Sequence, residues 1–399
     1  MTAGLRRHAY FDSLLDALTR PGCPLCALVA RTRWRYLDAL AYENVNDIAI
    51  RAKLRTSLGF CNRHAWYFLE QVREPVGAAI IYRDLLHTIQ RRGAASDEAF
   101  APGALCLACA IEREMTDDLL GALTQAVGDA EFRAAYGASD GLCAPHLRLA
   151  TAALTAEARG KLLDLAGIAC ADTVADPRHR REFAAGAPQN TGADEVALVG
   201  EGIEPEAYSP ASQSPPREPF TCAVCAAVGA DLAAFTSWDE LDDGSGGLCN
   251  VHAWRPAGEA AATIYRRQIT AIRDEAVARR AIADSPLTLA MRSLGLARPS
   301  VGPPEVPLRC VACARQGVIE EYLVVVAPAP FCVPHLRRAL RQGRADTLEA
   351  TRPIWHELDH HLGEYIRKED YRFRGEPRGL EQSSPRWAVA LIAGESGIR

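Results

Sequence analysis

Cys23-Pro24-Leu25-Cys26 is followed, 34 residues later, by Cys61-Asn62-Arg63-His64. This order, C-x2-C and then C-x2-H, organises the whole chain, because it recurs three more times with 33, 23 and 18 intervening residues. Twelve of the 13 cysteines belong to it, and Cys170 is the one left over. The later copies are Cys106/Cys109 with Cys143/His146, Cys222/Cys225 with Cys249/His252, and Cys310/Cys313 with Cys332/His335.

The four copies predict metal binding. Two cysteines separated by two residues can place both sulfurs on one ion, and a C-x2-H pair supplies the other half of a tetrahedron. Because the residues after each pair have a helical pattern, we expect several ligands at helix N-termini, where free amides and the helix dipole stabilise a thiolate. The spacing leaves open whether each C-x2-C pairs with the C-x2-H that follows it or with that of another copy. The predicted ligands are Cys23, Cys26, Cys61, His64, Cys106, Cys109, Cys143, His146, Cys222, Cys225, Cys249, His252, Cys310, Cys313, Cys332 and His335.

The ligand chemistry favours four zinc ions per chain. A Cys3His set closes the coordination sphere of zinc, which is typical of structural sites and leaves no position for a substrate. An iron–sulfur cluster uses the same soft ligands, so an iron–sulfur redox or sensor protein is the alternative.

The copies alternate in an A-B-A-B order. The first and third share Gly-x-Cys-Asn-x-His-Ala-Trp, whereas the second and fourth share Cys-x-Pro-His-Leu-Arg. We interpret this order as a tandem duplication of a two-site module. The predicted modules span residues 1–183 and 220–399, joined by a Gly-, Pro- and Ser-rich flexible linker at 184–219.

The fold class predicted is all-α. Apolar residues recur at helical spacing after the first cysteine pair, and Ile354, Leu358, Leu362, Tyr365 and Ile366 form one stripe of a helix from about 352 to 368. Residues 323–327 are the best candidate for a short strand, although a buried helix fits them equally well.

Composition narrows the class of protein. The net charge of -5 over 399 residues does not favour nucleic-acid binding. The charged first twenty residues do not resemble a secretion signal, and no apolar run has the length of a membrane span. We therefore expect a cytoplasmic protein, in which clustered cysteines bind metal more often than they form disulfides.

A second motif lies in the predicted C-terminal helix. His356-Glu357-Leu358-Asp359-His360 matches the H-E-x-x-H pattern of zinc proteases, in which the two histidines bind zinc and the glutamate is the general base. Ile366 occupies the position of a third histidine, and the two histidines face away from the apolar stripe. The pattern thus favours a solvated helix face, with a metal-dependent hydrolase as the less favoured alternative.

The paired C-x2-C and G-x-C-x-x-H motifs, with the segment Ile366-Arg-Lys-Glu-Asp-Tyr-Arg-Phe373, resemble an uncharacterised prokaryotic family of helical proteins. The resemblance covers the second module best, through Trp387 to Gly394, and the first module mainly at the cysteine motifs. It implies a helical two-site architecture, and the family has no established activity. Closed metal sites, no recognisable catalytic constellation and a flexible linker between two similar modules favour a scaffold whose partner is another protein. The sequence leaves the oligomeric state open.

Overall fold

The computed structural model describes residues 9–92, 96–166, 220–234, 246–247, 309–396 and 398. Within these ranges the chain forms fourteen α-helices, which confirms the all-α prediction. The helices are α1 (Phe11–Leu18), α2 (Pro24–Ala39), α3 (Ile48–Ser57), α4 (Asn62–Glu70), α5 (Pro75–Arg92), α6 (Leu107–Ala126), α7 (Ala130–Gly137), α8 (Ala144–Ala153), α9 (Ala156–Ala166), α10 (Ala223–Ala234), α11 (Val311–Val326), α12 (Val333–Arg341), α13 (Asp346–Glu369) and α14 (Ser384–Ala393).

Short elements complete the described ranges. A π-helical turn at Leu40–Asn44 continues α2, and 3-10 turns lie at Glu98–Phe100 and Leu380–Ser383. Two strands of two residues each, β1 (Gly246–Gly247) and β2 (Arg309–Cys310), pair in parallel. None of the described helices has the length and apolar composition needed to cross a bilayer.

Two sequence expectations about the C-terminal region can be compared with the helices. The helix expected over about 352–368 is α13, in which Leu358, Leu362 and Tyr365 of the apolar stripe are buried. Residues 323–326 belong to the end of α11, so the helical alternative is correct for this segment and the strand is not.

The chain divides into two compact units. Unit 1 comprises Met1–Thr32, Glu112–Gln189 and Thr236–Ala312. Its described core is apolar and includes two of the predicted ligands, Cys23 and Cys143, so these ligands are part of the core. Phe132 is the aromatic centre of this core, with ring centroids 6.5 Å from Phe11 and 5.9 Å from Tyr136.

Unit 2 comprises Arg33–Ile111, Asn190–Phe235 and Cys313–Arg399. Helix α5 is its central helix, and it packs along α13 and α14. The buried side chains of α5 recur three and four residues apart, as in Tyr82, Leu85, Leu86 and Ile89, because this helix is covered on more than one side.

The two predicted modules are inferred from the sequence repeat, and the tandem duplication stays a prediction. The compact units are composed differently, since unit 2 contains residues from 33–111 as well as from 313–399. The predicted linker at 184–219 lies outside the described residues.

Candidate metal centres

Three groups of side chains in the described residues could each hold a metal ion. Each contains three cysteines and one histidine, with all ligand atoms of a group within 4.8 Å of one another. We call them cluster 1 (Cys23, Cys26, Cys143 and His146), cluster 2 (Cys61, His64, Cys106 and Cys109) and cluster 3 (Cys222, Cys225, Cys332 and His335).

The clusters exchange halves between neighbouring copies of the motif. The C-x2-C of the first copy meets the C-x2-H of the second, and the C-x2-H of the first meets the C-x2-C of the second. Cluster 3 follows the same rule, since it joins the C-x2-C of the third copy to the C-x2-H of the fourth. For these three clusters, the structure thereby decides between the pairings that the spacing left open.

Helix starts position the ligands in the way the sequence predicts. Cys61, Cys143 and Cys332 are the residues just before α4, α8 and α12, with extended backbone at φ of -63°, -62° and -64°. Their carbonyl groups accept the first helical hydrogen bonds, from the amides four residues on, at 2.8–2.9 Å. The following histidine then lies in the first helical turn, where its Nδ1 is 3.1–3.4 Å from the cysteine sulfur.

The clusters have the dimensions of a tetrahedral site. Within the clusters, the nine distances from cysteine sulfur to histidine Nδ1 are 3.1–3.5 Å, and one sulfur–sulfur pair in each cluster lies 3.6–3.7 Å apart. A single ion with bonds of about 2.3 Å to sulfur and about 2.0 Å to nitrogen has edges of about 3.5 Å (S–N) and about 3.8 Å (S–S). A disulfide would need about 2.05 Å, and none of the nine cysteines in the three clusters forms one. The ligand sets therefore fit one tetrahedral ion each.

Ionisation within the clusters also fits a cation. Hydrogen bonds from the thiols of Cys106 and Cys109 lower the pKa of Cys61, and those from Cys225 and Cys332 lower the pKa of Cys222. The pKa of Cys106 is raised in turn by its neighbours Cys109 and Cys61. One thiolate per cluster is thus readily formed, whereas three at these distances repel one another unless a cation lies between them.

The clusters differ in solvent exposure. All four ligands of cluster 3 are buried, with 0–2% of each residue exposed. Clusters 1 and 2 each leave two ligands partly exposed, Cys26 and His146 in one and Cys61 and Cys109 in the other. Burial opposes charge on His335, but hydrogen bonds with Cys222 and Cys225 outweigh it and raise its pKa to about 11.

Clusters 2 and 3 also differ at histidine Nε2, the ring nitrogen that does not face the sulfurs. Nε2 of His335 lies 3.4 Å from Oε1 of Glu320, a carboxylate that is 1% exposed. Nε2 of His64 lies instead 2.8 Å from a guanidinium nitrogen of Arg63. The sequence pattern gave no sign of Glu320; an acidic residue at a buried position of α11 is the signal that would have pointed to it.

The fourth predicted site is described in part. Cys310 is buried and ends β2 just before α11, and Cys313 is partly buried in the first turn of α11. Cys249, His252 and Cys170 lie outside the described residues. The β1–β2 register places Gly247, two residues before Cys249 in the sequence, opposite Cys310.

The glycine two residues before the C-x2-H motif has a conformational role. Gly59 and Gly141 have φ of +85° and +71°, a region that side chains disfavour. A Cβ at Gly59 would lie 2.7 Å from Cδ1 of Leu85, so the packing also leaves no room for a side chain at this position. In both copies the glycine therefore allows the backbone to turn immediately before a ligand-bearing helix.

Helix α4, which carries His64, is anchored to the C-terminal segment of unit 2. Nδ2 of Asn62 donates to the carbonyl oxygens of Ala393, Gly394 and Glu395 at 2.9, 3.1 and 2.7 Å. Nε1 of Trp66 donates to the carbonyl of Gly394 at 2.9 Å. The Asn and Trp shared by the first and third copies are thus explained, in the first copy, by this contact.

The H-E-x-x-H motif has a different arrangement. His356, Glu357 and His360 are exposed, and none of them belongs to a metal-holding group within the described residues. Asp359 of the motif accepts hydrogen bonds from Nε of Arg83 at 2.9 Å and from Nε2 of His87 at 2.7 Å. This segment therefore joins α13 to α5, and the exposed histidines agree with the solvated helix face favoured by the sequence.

Residues 366–373, which belong to the segment that resembles the uncharacterised family, contribute ion pairs at the end of α13. Arg367 pairs with Glu364 at 2.8 Å and with Glu376 at 2.5 Å, and Lys368 pairs with Glu381 at 2.8 Å. These ion pairs hold the turn through which the chain passes from α13 to α14.

Fold and site together define the class: an all-α protein with Cys3His ligand sets at helix N-termini. No model of a known protein family matches the chain, and no solved structure matches it. The chain is 32% identical over 77 residues to an uncharacterised 23.9 kDa protein in the xynA 3' region of Caldicellulosiruptor sp. (strain Rt8B.4). The match spans 19% of this chain and 37% of that relative, which is consistent with an uncharacterised family.

Proposed function

We propose that the chain is a zinc-binding helical protein with four structural Cys3His sites, and that it serves as a scaffold for another protein. The observation that carries the proposal is the geometry of the three described clusters, whose edges fit a single tetrahedral ion. In each cluster the ligands come from two separate helix starts, so one bound ion would hold two distant parts of the chain together.

Zinc is favoured over an iron–sulfur cluster by the compactness of the ligand sets. A polynuclear cluster inserts several iron and sulfide atoms between its protein ligands, which spreads those ligands apart. Here all ligand atoms of a set lie within 4.8 Å of one another, which suits one ion. Three thiolates and one neutral imidazole are the ligands of many structural zinc sites.

The fourth ion is proposed from the repeat and from the strand register. By the exchange of halves seen in the described clusters, Cys310 and Cys313 would pair with Cys249 and His252. The register Gly247–Cys310 supports this pairing, because Cys249 follows Gly247 by two residues.

The scaffold role is supported by two features. A Cys3His set leaves no open coordination position, which argues for structure over catalysis at these ions. In addition, one face of α11 exposes Val318 (70%), Tyr322 (67%), Val325 (50%) and Val326 (55%). These positions are spaced four, seven and eight residues from the first, and an apolar helix face of this kind is typical of protein–protein contacts. We further propose a cytoplasmic location, where thiols stay reduced.

Elemental analysis with an absorbance spectrum tests the metal part of the proposal. Untagged protein purified without oxygen should contain about four zinc per chain and show no visible colour. Iron with equimolar sulfide and a brown colour would replace the proposal by the redox alternative. Protein without bound metal would refute both.

The scaffold part is tested by quantitative co-purification with two matched variants of α11. Val318→Glu with Tyr322→Glu should remove specific protein partners, because charge on the apolar face opposes its burial. Glu321→Gln, an exposed substitution on the same helix, should retain them. A partner set that is the same in all three proteins would contradict a role for this face.

A further inference from the structure

Glu320 is a buried carboxylate in the middle of α11. Only 1% of the residue is exposed, which is rare for glutamate unless the charge is paired. It belongs to unit 2, as do all four ligands of cluster 3.

The carboxylate is held by contacts on both oxygens. Oε1 accepts a hydrogen bond from Nε2 of Gln316 at 2.7 Å and lies 3.4 Å from Nε2 of His335. Oε2 pairs with the guanidinium of Arg338, one helical turn after His335. Glu320 thus has a fixed position between its own helix and the helix that carries the histidine ligand.

The contact to His335 occupies the ring nitrogen that a metal would not use. Nδ1 of His335 faces the three sulfurs of cluster 3, so Nε2 carries the proton when the ring is a neutral ligand. A carboxylate beside that N–H selects the tautomer and fixes the ring plane. At 3.4 Å the contact is longer than a strong hydrogen bond, so orientation and charge are its main contributions.

We propose that Glu320 is the positioning residue of cluster 3 and makes it the most slowly exchanging of the three described sites. This inference rests on the proposed metal binding. Cluster 2 provides the contrast, because Nε2 of its histidine lies 2.8 Å from a guanidinium nitrogen of Arg63 and two of its sulfurs are partly exposed. Outer partners of this kind typically change metal affinity by about 10–100-fold.

The test is time-resolved alkylation of the zinc-loaded full chain with N-ethylmaleimide in the presence of a chelator, followed by peptide mapping. In the wild type, the cysteines of cluster 3 should be labelled last. Glu320→Gln should accelerate their labelling about tenfold or more, while Cys23, Cys26 and Cys143 keep their wild-type rates. Glu321→Gln, the exposed neighbour, should leave every rate unchanged.

Two outcomes would overturn the inference: wild-type labelling of cluster 3 in Glu320→Gln, or equal acceleration of all clusters, which indicates general destabilisation. Glu320→Asp, which keeps the charge and withdraws it by one methylene, gives a second measurement if the glutamine variant does not fold. A long-range 1H–15N spectrum should also show His335 protonated at Nε2 in the zinc-loaded wild type. Metal-free protein in the elemental analysis would refute the proposed function, whereas metal-loaded protein with unchanged cluster 3 rates refutes only the role of Glu320.

Discussion

Replacing Gly59 by alanine tests the turn that leads into cluster 2. The φ of +85° is costly for any residue with a Cβ, by about 1–2 kcal/mol. The new Cβ would also lie 2.7 Å from Cδ1 of Leu85, a side chain that is 0% exposed and cannot move into solvent. Overpacking in a core costs about 1–3 kcal/mol more, so the total is about 2–5 kcal/mol.

Gly343→Ala is the matched control for this substitution. Gly343 has a φ of +80°, and a Cβ there meets no atom within 4 Å. It should therefore show the backbone cost alone, about 1–2 kcal/mol. The difference between the two variants isolates the contact with Leu85.

Thermal denaturation and cysteine labelling of the zinc-loaded protein measure the two effects. Gly59→Ala should lower the melting temperature more than Gly343→Ala does. It should also accelerate the labelling of Cys61, Cys106 and Cys109, because the strained turn ends at Phe60, next to Cys61. Equal destabilisation by the two variants, with cluster 2 labelled at the wild-type rate in both, would refute this reasoning.

Three further expectations concern the packing around the sites. Burial raises the pKa of Glu381, but Lys368 and the amide of Gly379 outweigh it and lower that pKa to about 2. Above pH 5, Glu381→Gln should thus lower the free energy of unfolding by about 2–3 kcal/mol. The difference from wild type should shrink as the pH falls from about 4.5 towards 2. A difference in denaturant unfolding that does not depend on pH would contradict this. Asn62→Ala removes the hydrogen bonds that Asn62 donates to the carbonyls of Ala393 and Glu395, so it should lower the free energy of unfolding by about 1–3 kcal/mol and speed hydrogen exchange in α4. Unchanged exchange would show that the contact does not hold the helix. Removing metal with a chelator at neutral pH should lower the helical circular dichroism signal and zinc should restore it, whereas an unchanged spectrum would argue against a structural role for the ions.

The ligand types and their placement at helix starts could be predicted from the sequence, because both follow from local spacing. C-x2-C and C-x2-H fix which atoms can meet within one turn, and the apolar pattern around Leu358 and Leu362 fixes a helix. These are short-range properties of the chain, and the structure has them as expected.

The partner of each half-site could not be predicted, because all C-x2-H motifs are chemically equivalent. Long-range packing makes the choice: the core around Phe132 brings Cys143 to Cys23 in unit 1. The same limit applies to Asn62, whose acceptors lie more than 330 residues away in sequence. Glu320 was missed for a related reason, since its contact with His335 depends on how α11 packs on α12.

The exchange of half-sites is tested most directly by counting ions in two double variants with equal numbers of substitutions. Cys23→Ser with Cys143→Ser alters cluster 1 alone, whereas Cys23→Ser with Cys61→Ser alters clusters 1 and 2. Elemental analysis should show the loss of one ion per chain in the first variant and of two in the second. The opposite result, two ions lost in the first and one in the second, would mean that each C-x2-C pairs with the C-x2-H that follows it.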